Sequence, residues 1–302
     1  MYTQKKAEKE KIENNVDEIA LIFEGGGMRG AFSAGVTNAL LDLGIYFDYV
    51  VGISAGTSQL VNYLSRDRKR TKMSFTDIVD DKNIYGWRHF FKGEGFFNSE
   101  YIYEKIGRKG EWLEFDFDTF FRNPARYRVV AFDATNNCGR CFTNDEVENE
   151  EDIMKMCRAS SSLPLFMPPT VYKGNVYYDG GLTGGIAIDI AEKDGFKKFF
   201  IVRTQERGYR KSEARHPMFL RKHFRKEPSV AEAIINRPSI YNAQCDYIDK
   251  LEKEGKAYVV YPDSMKITNR ETNKSKLVDL YNQGYNIGMR DSDKWKEFIF
   301  NK

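Results

Sequence analysis

The sequence predicts an α/β fold with a mainly parallel central sheet flanked by helices, an aromatic-rich insertion and a helical C-terminal part. Three observations carry this expectation. The apolar run Ile19-Ala20-Leu21-Ile22-Phe23 stops at Glu24 and three glycines, after which Phe32, Val36, Ala39, Leu40 and Leu43 recur at helical spacing until Gly44. The order strand, turn, helix then repeats, with Tyr49-Val50-Val51, the turn Gly52-Ile53-Ser54-Ala55-Gly56, and Leu60, Val61 and Leu64. Further on, a helical stretch at Ile186 to Ala191 leads into the buried strand Lys198 to Val202. Uninterrupted apolar strands are covered on both faces, and repeated strand–helix units build a parallel sheet through crossover helices.

In chain order, residues 1–18 read as a charged, poorly ordered leader, with charges where a signal peptide needs an apolar stretch. Residues 19–202 form the main domain, interrupted at 67–125 by a charged connection and the aromatic stretch Tyr85 to Tyr103, which reads as an insertion or lid if not plain core. Tyr127 to Phe132 resumes as a strand, and Phe132 to Phe142 reads as a hairpin around Asn136-Asn137. Helix resumes near Asp152, and Val176-Tyr177-Tyr178 is a strand entering Asp179-Gly180-Gly181. Residues 203–302 form a basic segment and a mostly helical extension packed on the same domain. That extension carries Ile240, Ala243, Tyr247 and Leu251 on one helix face, a strand at Tyr258 to Tyr261, and Leu277, Leu280, Tyr281 and Gly284 on a second helix.

The 302 residues are 41% apolar and 30% charged, which excludes intrinsic disorder and the low-complexity classes. A net charge of +3 is too balanced for a nucleic-acid footprint, so no nucleic-acid partner is expected. Four cysteines make no disulfide framework, and the expected location is the cytoplasm. Cys138-Gly139-Arg140-Cys141 lacks the second ligand pair that a closed zinc site needs and reads as hairpin turn sequence; no metal or cofactor is expected. The segment Arg203 to Lys226, with nine Lys/Arg against two Glu, is either a solvated face or a peripheral contact with anionic membrane, where Phe219, Leu220 and Phe224 would assist.

Two glycine motifs carry the chemistry. Gly25-Gly26-Gly27-Met28-Arg29-Gly30 contains G-x-G-x-x-G, yet the acidic residue a dinucleotide site needs at the end of the second strand is missing, since Asp48 lies at the wrong end. The loop has a second use: amides converging at a helix N-terminus hold an oxyanion as well as they hold a phosphate, so an anion or nucleotide binder stays an alternative. Gly52-Ile53-Ser54-Ala55-Gly56 fits G-x-S-x-G, the sharp turn that lifts a serine hydroxyl above a sheet edge. Asp179 projects from a strand end, and only His89, His216 and His223 are available should a triad be built instead.

These three motifs together resemble the signature of the patatin-like phospholipases, and Arg158-Ala159-Ser160-Ser161-Ser162-Leu163-Pro164-Leu165-Phe166-Met167-Pro168-Pro169 resembles that family's block before the aspartate. The resemblance covers about Ile19 to Val202 and implies a three-layer α/β/α lipid acyl hydrolase with a Ser–Asp dyad. Carried over, Ser54 is the nucleophile, Asp179 the general base, the Gly25–Gly30 loop with Met28 and Arg29 the oxyanion hole, Gly52 and Gly56 the flanks of the elbow, and Gly180 and Gly181 the Asp-Gly-Gly motif. Arg29 stands where lysine is common, and Gly181 where alanine is common. The implied partner is a lipid or other ester, and transfer of the acyl group to an alcohol would use the same residues.

Overall fold

The computed structural model describes residues 11–93 and 95–301. Eight strands form one sheet: β1 (Ile19–Phe23), β2 (Tyr49–Ile53), β3 (Arg126–Asp133), β4 (Cys138–Thr143), β5 (Thr170–Tyr172), β6 (Asn175–Asp179), β7 (Lys198–Val202) and β8 (Ala257–Val260). Their order is β5-β6-β3-β2-β1-β7-β8, with β4 paired to β3. The pairs β3–β2, β2–β1, β1–β7 and β7–β8 are parallel, and β4, β6 and β5 add antiparallel pairs at one side. The expected α/β class with a mainly parallel sheet is therefore what forms. The five described helices of ten residues or more are α1 (Gly30–Asp42), α2 (Ala55–Leu64), α3 (Glu150–Ser161), α4 (Pro228–Lys253) and α5 (Lys274–Arg290).

Side chains of the central strands alternate between two cores. Leu21, Phe23 and Val50 face α1, α2 and the insertion, while Ala20, Ile22, Val51 and Ile53 face the side of α4. Helix α1 is buried almost all round because α5 covers its outer side at close range. A Cβ on Gly35 would stand 2.0 Å from the Tyr281 carbonyl oxygen, and one on Gly284 would stand 2.1 Å from that of Phe32. Glycines at this crossing let the two backbones touch.

Three expectations need correction. Residues 1–10 lie outside the described residues, but within the leader Ile12 and Val16 are buried and Val16 bridges Phe47, so 11–18 are packed chain rather than a solvated tail. Helix α4 buries Tyr241, Cys245 and Ile248 together with Leu251, whereas Ile240 and Tyr247 are exposed. The buried face is the stripe Tyr241, Cys245, Ile248 and Leu251, packed in one apolar cluster with the sheet, which leaves Ile240, Ala243 and Tyr247 on the outer side. Cys138 and Cys141 lie on β4 itself and not in the turn, and both are free thiols.

Candidate functional site

Sheet register brings the serine and the aspartate together. Residues 128–130 of β3 pair with β2 on one edge and β4 on the other, and residues 131–133 pair with β4 and β6. Strands β2 and β6 therefore share one edge of β3 and run toward each other, with Ile53 opposite Val130 and Asp179 opposite Ala131. Ser54, the next residue after β2, meets the last residue of β6 head on. The Ser54 Oγ donates to Asp179 Oδ2 at 2.6 Å.

The turn that holds Ser54 is strained and tightly packed. Its φ of 55° with ψ of −122° is costly for a residue with a side chain, and such strain persists only where the surroundings enforce it. A Cβ on Gly52 would lie 2.4 Å from the Gly56 carbonyl oxygen, and one on Gly56 would lie 2.2 Å from that of Phe23, so both flanks must be glycine. Ser160, on α3, locks the turn: its Oγ accepts from the Ser54 N–H at 2.9 Å and donates to the Val130 carbonyl at 2.6 Å. Ser160 stood within the quoted Ala-Ser-Ser block, but nothing in its spacing revealed this contact.

Asp179 is buried, with 4% of its surface exposed. Burial pushes its carboxyl pKa up, opposed by the nearby Arg237 charge, the Ser54 hydroxyl and the Gly181 N–H, which donates to Oδ1 at 2.6 Å. A buried carboxylate raised in this way holds a proton more readily than an exposed one. Gly180 is required by close approach, because a Cβ there would stand 2.1 Å from the Val130 carbonyl oxygen.

Several amides of the glycine loop are bonded within the fold. The Gly25 N–H donates to Gly185, Met28 to Asn269, Arg29 to Gly26, and Gly30 to the loop itself. Among the described residues this leaves the Gly26 and Gly27 amides unengaged beside Ser54. Gly27 has φ 55°, and a Cβ on it would strike the Asn269 carbonyl oxygen at 2.4 Å. Behind the loop, Glu24 and Arg203 form a buried ion pair at 2.8 Å, completed by the Tyr241 hydroxyl and the Thr204 N–H. Burial pushes the Glu24 pKa up, but Arg203 and these donors outweigh it and hold it below the ordinary carboxylate value. Strands β1 and β7 end side by side, so the pair ties the glycine loop to the α4 side of the sheet. Arg203 thus does not belong to a solvated basic face.

A cavity of about 330 Å³ opens on Ser54, Asp179 and Gly25–Arg29. One wall is apolar, with Val61, Phe75, Ile84, Phe97, Leu113 and Phe115 among its residues, so the insertion does border the site. Five cations, Arg29, Arg70, Lys211, Arg237 and Arg270, also line the cavity, Arg70 against Leu113 and Phe115. None of the three histidines borders the cavity. His216 and His223 are exposed, and His89 is buried with its Nε2 3.3 Å from the Lys82 carbonyl oxygen. No cluster of described residues could hold a metal ion.

A mainly parallel sheet flanked by helices defines an α/β protein, here with a hydroxyl–carboxylate pair on a strained strand-to-helix turn. Within that class the chain belongs to the patatin-like phospholipase family, whose family model matches residues 21–192. A second family model, described as a domain of unknown function (DUF6363), matches residues 227–300. The uncharacterized protein YjjU of Escherichia coli (strain K12) is 24% identical over 195 residues, 62% of this chain and 52% of that protein. The probable lipid hydrolase 463L of Invertebrate iridescent virus 6 is 25% identical over 190 residues, 59% of this chain and 64% of that protein. The chain thus spans about half to two thirds of the length of these two relatives. The crystal structure of VipD from Legionella pneumophila aligns with a TM-score of 0.47 and 15% identity, covering 92% of this chain and 67% of that one.

Proposed function

We propose that this protein hydrolyses carboxylic ester bonds of lipids through Ser54 and Asp179. The observation that carries the reading is the 2.6 Å hydrogen bond from the strained serine to a buried carboxylate at the mouth of an apolar cavity. As Ser54 Oγ attacks the ester carbonyl carbon, its proton passes to Asp179 Oδ2 and the carbonyl electrons move onto oxygen, which the Gly26 and Gly27 amides hold. Collapse expels the alcohol oxygen, which takes the proton back from Asp179. Water then attacks the acyl-enzyme, loses a proton to Asp179, and the released Ser54 oxygen recovers it. A family match and a relative named as a lipid hydrolase support the lipid substrate class. The test is turnover of a soluble p-nitrophenyl ester together with fluorophosphonate labelling. Ser54→Ala should lose both while keeping its circular dichroism, and turnover within tenfold of wild type would remove Ser54 from the mechanism.

We further propose a peripheral seat on anionic lipid for the short helix Pro217–His223. Met218 and Phe219 are 82% and 57% exposed there, and Arg215, Lys222, Arg225 and Lys226 are exposed around them. Leu220 and Phe224, expected to share that face, are buried against the fold. No described helix is long and apolar enough to cross a membrane.

A further inference from the structure

The C-terminal part of the chain, which a family model described as a domain of unknown function matches over residues 227–300, places Arg237 at the Ser54–Asp179 pair, and Lys211 precedes it in the chain. Arg237 sits on α4, and its Nη2 lies 2.8 Å from the point a Cβ on Gly181 would occupy. The missing side chain at 181 leaves that seat to the guanidinium. Lys211 Nζ lies 3.9 Å from the Tyr241 ring centroid, on the same side of the sheet, and Arg29 follows the glycine loop. All three border the cavity that holds Ser54.

None of these cations forms a close ion pair. Among the described residues no carboxylate oxygen lies within 4.0 Å of the charged nitrogens of Arg29, Lys211 or Arg237. The Nε atoms of Arg29 and Arg237 are buried without a hydrogen-bond partner. Glu24, the nearest other anion, is already matched by Arg203. Of the other cations on the cavity, Arg70 is bonded to Asn62 and the Leu113 carbonyl and Arg270 is exposed over the Phe166 ring; at the α4 end Arg29, Lys211 and Arg237 stand against one unmatched carboxylate, Asp179, and buried charge left uncompensated is costly unless a ligand completes it. Burial and the neighbouring arginine charge pull the Lys211 pKa down to about 8, as crowding of like charges requires.

We propose that Arg29, Lys211 and Arg237 form an anion subsite for the alcohol side of the ester, selecting a single-chain acyl ester whose headgroup ends in a phosphate monoester. This rests on the hydrolase reading above. Arg237 of α4 stands beside the Asp179 that Ser54 contacts, and apolar residues of the insertion line the same cavity, so the headgroup is assigned to α4 and the acyl chain to Phe75, Phe97 and Leu113. A phosphate monoester carries about −1.5 to −2 at pH 7 and matches the excess of two positive charges. A phosphocholine headgroup would bring a quaternary ammonium into the same cluster and is disfavoured.

The test uses the full chain and three substrates with one acyl chain in common: monoacylglycerol phosphate, monoacylglycerol and lysophosphatidylcholine. The phosphate substrate should exceed monoacylglycerol in kcat/KM by about tenfold or more, with the choline substrate lowest. Lys211→Gln and Arg237→Gln should each reduce that preference by about fivefold or more, and Arg237→Lys should restore most of it. Gly181→Ala, which pushes a methyl group at the guanidinium, should act in the same direction as Arg237→Gln. A preference within twofold of wild type in both glutamine variants overturns the subsite. Binding to the Ser54→Ala protein by calorimetry separates the sources of the anion. Glycerol 3-phosphate should bind more tightly than inorganic phosphate, and equal affinity would assign the site to free phosphate and overturn the headgroup role. If no ester is hydrolysed while glycerol 3-phosphate binds in a Lys211-dependent way, the anion subsite stands and the hydrolase reading fails.

Discussion

Replacing Arg237 with glutamine tests how the C-terminal part acts on the reacting pair. Arg237 Nη2 and Asp179 Oδ1 each lie 2.8 Å from the same point, the place of a Cβ on Gly181, so they are no further apart than twice that distance. At about 5.5 Å and an effective dielectric of ~20, a unit charge pair is worth about 3 kcal/mol. The sign follows from the carboxylate's role. Burial raises the Asp179 pKa and Arg237 opposes that rise, so removing the guanidinium raises it further. The base then needs a higher pH to ionise. The acid limb of the kcat/KM profile for an uncharged soluble ester should move up by roughly two pH units in Arg237→Gln, the full value of that interaction. The loss should be largest at low pH and shrink as pH rises, and Arg237→Lys should keep the limb near its wild-type position. A limb that stays in place, or moves down, refutes the electrostatic coupling of Arg237 to Asp179.

Other outcomes follow from the same contacts. Lys211→Met should stabilise the fold at pH 7 by at most about 3 kcal/mol, because the folded pKa of about 8 lies below the usual 10.5. Below pH 8 the lysine is charged in both states and the full cost applies; between the two values the wild type regains stability as pH rises, so the advantage of methionine should shrink. Thermal melts at pH 7 and 9.5 check this. Glu24→Gln should cost about 3–5 kcal/mol in urea unfolding, since it leaves Arg203 buried without its carboxylate. Gly26→Val should lower ester turnover by about 10²-fold or more if its amide holds the oxyanion, because a Cβ there meets Thr204 Oγ1 at 2.5 Å and must displace the loop. Reversing Lys222, Arg225 and Lys226 to glutamate should weaken binding to anionic vesicles, as should added salt, and unchanged affinity would make the segment a solvated face.

Most of the sheet, and Ser54 and Asp179 as the residues that meet at its edge, were legible because each is announced locally. Apolar runs followed by glycine mark β1 and β2, and the elbow Gly52 to Gly56 needs small residues for contacts made within a few positions. The meeting of β2 and β6 was not legible, since strand alternation suggests parallel pairing and says nothing of an antiparallel strand entering from the far end of β3. The seats of Arg237 and Lys211 were hidden for a related reason: they depend on where α4 crosses the sheet end, far along the chain from Ser54. Within the basic segment the charges also have different fates, Arg203 buried on Glu24, Arg207 and Arg210 paired to acids of α4, and Lys222 and Arg225 exposed. A charge run in sequence does not reveal which of its members folds inward.

The central claim is that a carboxylate takes the serine proton directly, without an imidazole. The measurement that tests it is kcat/KM for a soluble p-nitrophenyl ester in Asp179→Asn beside His89→Gln, His216→Gln and His223→Gln, each confirmed folded. The 2.6 Å contact predicts that Asp179→Asn falls by several powers of ten, close to Ser54→Ala, while every histidine variant stays within about tenfold of wild type. A histidine variant that collapses to the level of Ser54→Ala, or an Asp179→Asn protein that keeps wild-type turnover, would contradict it.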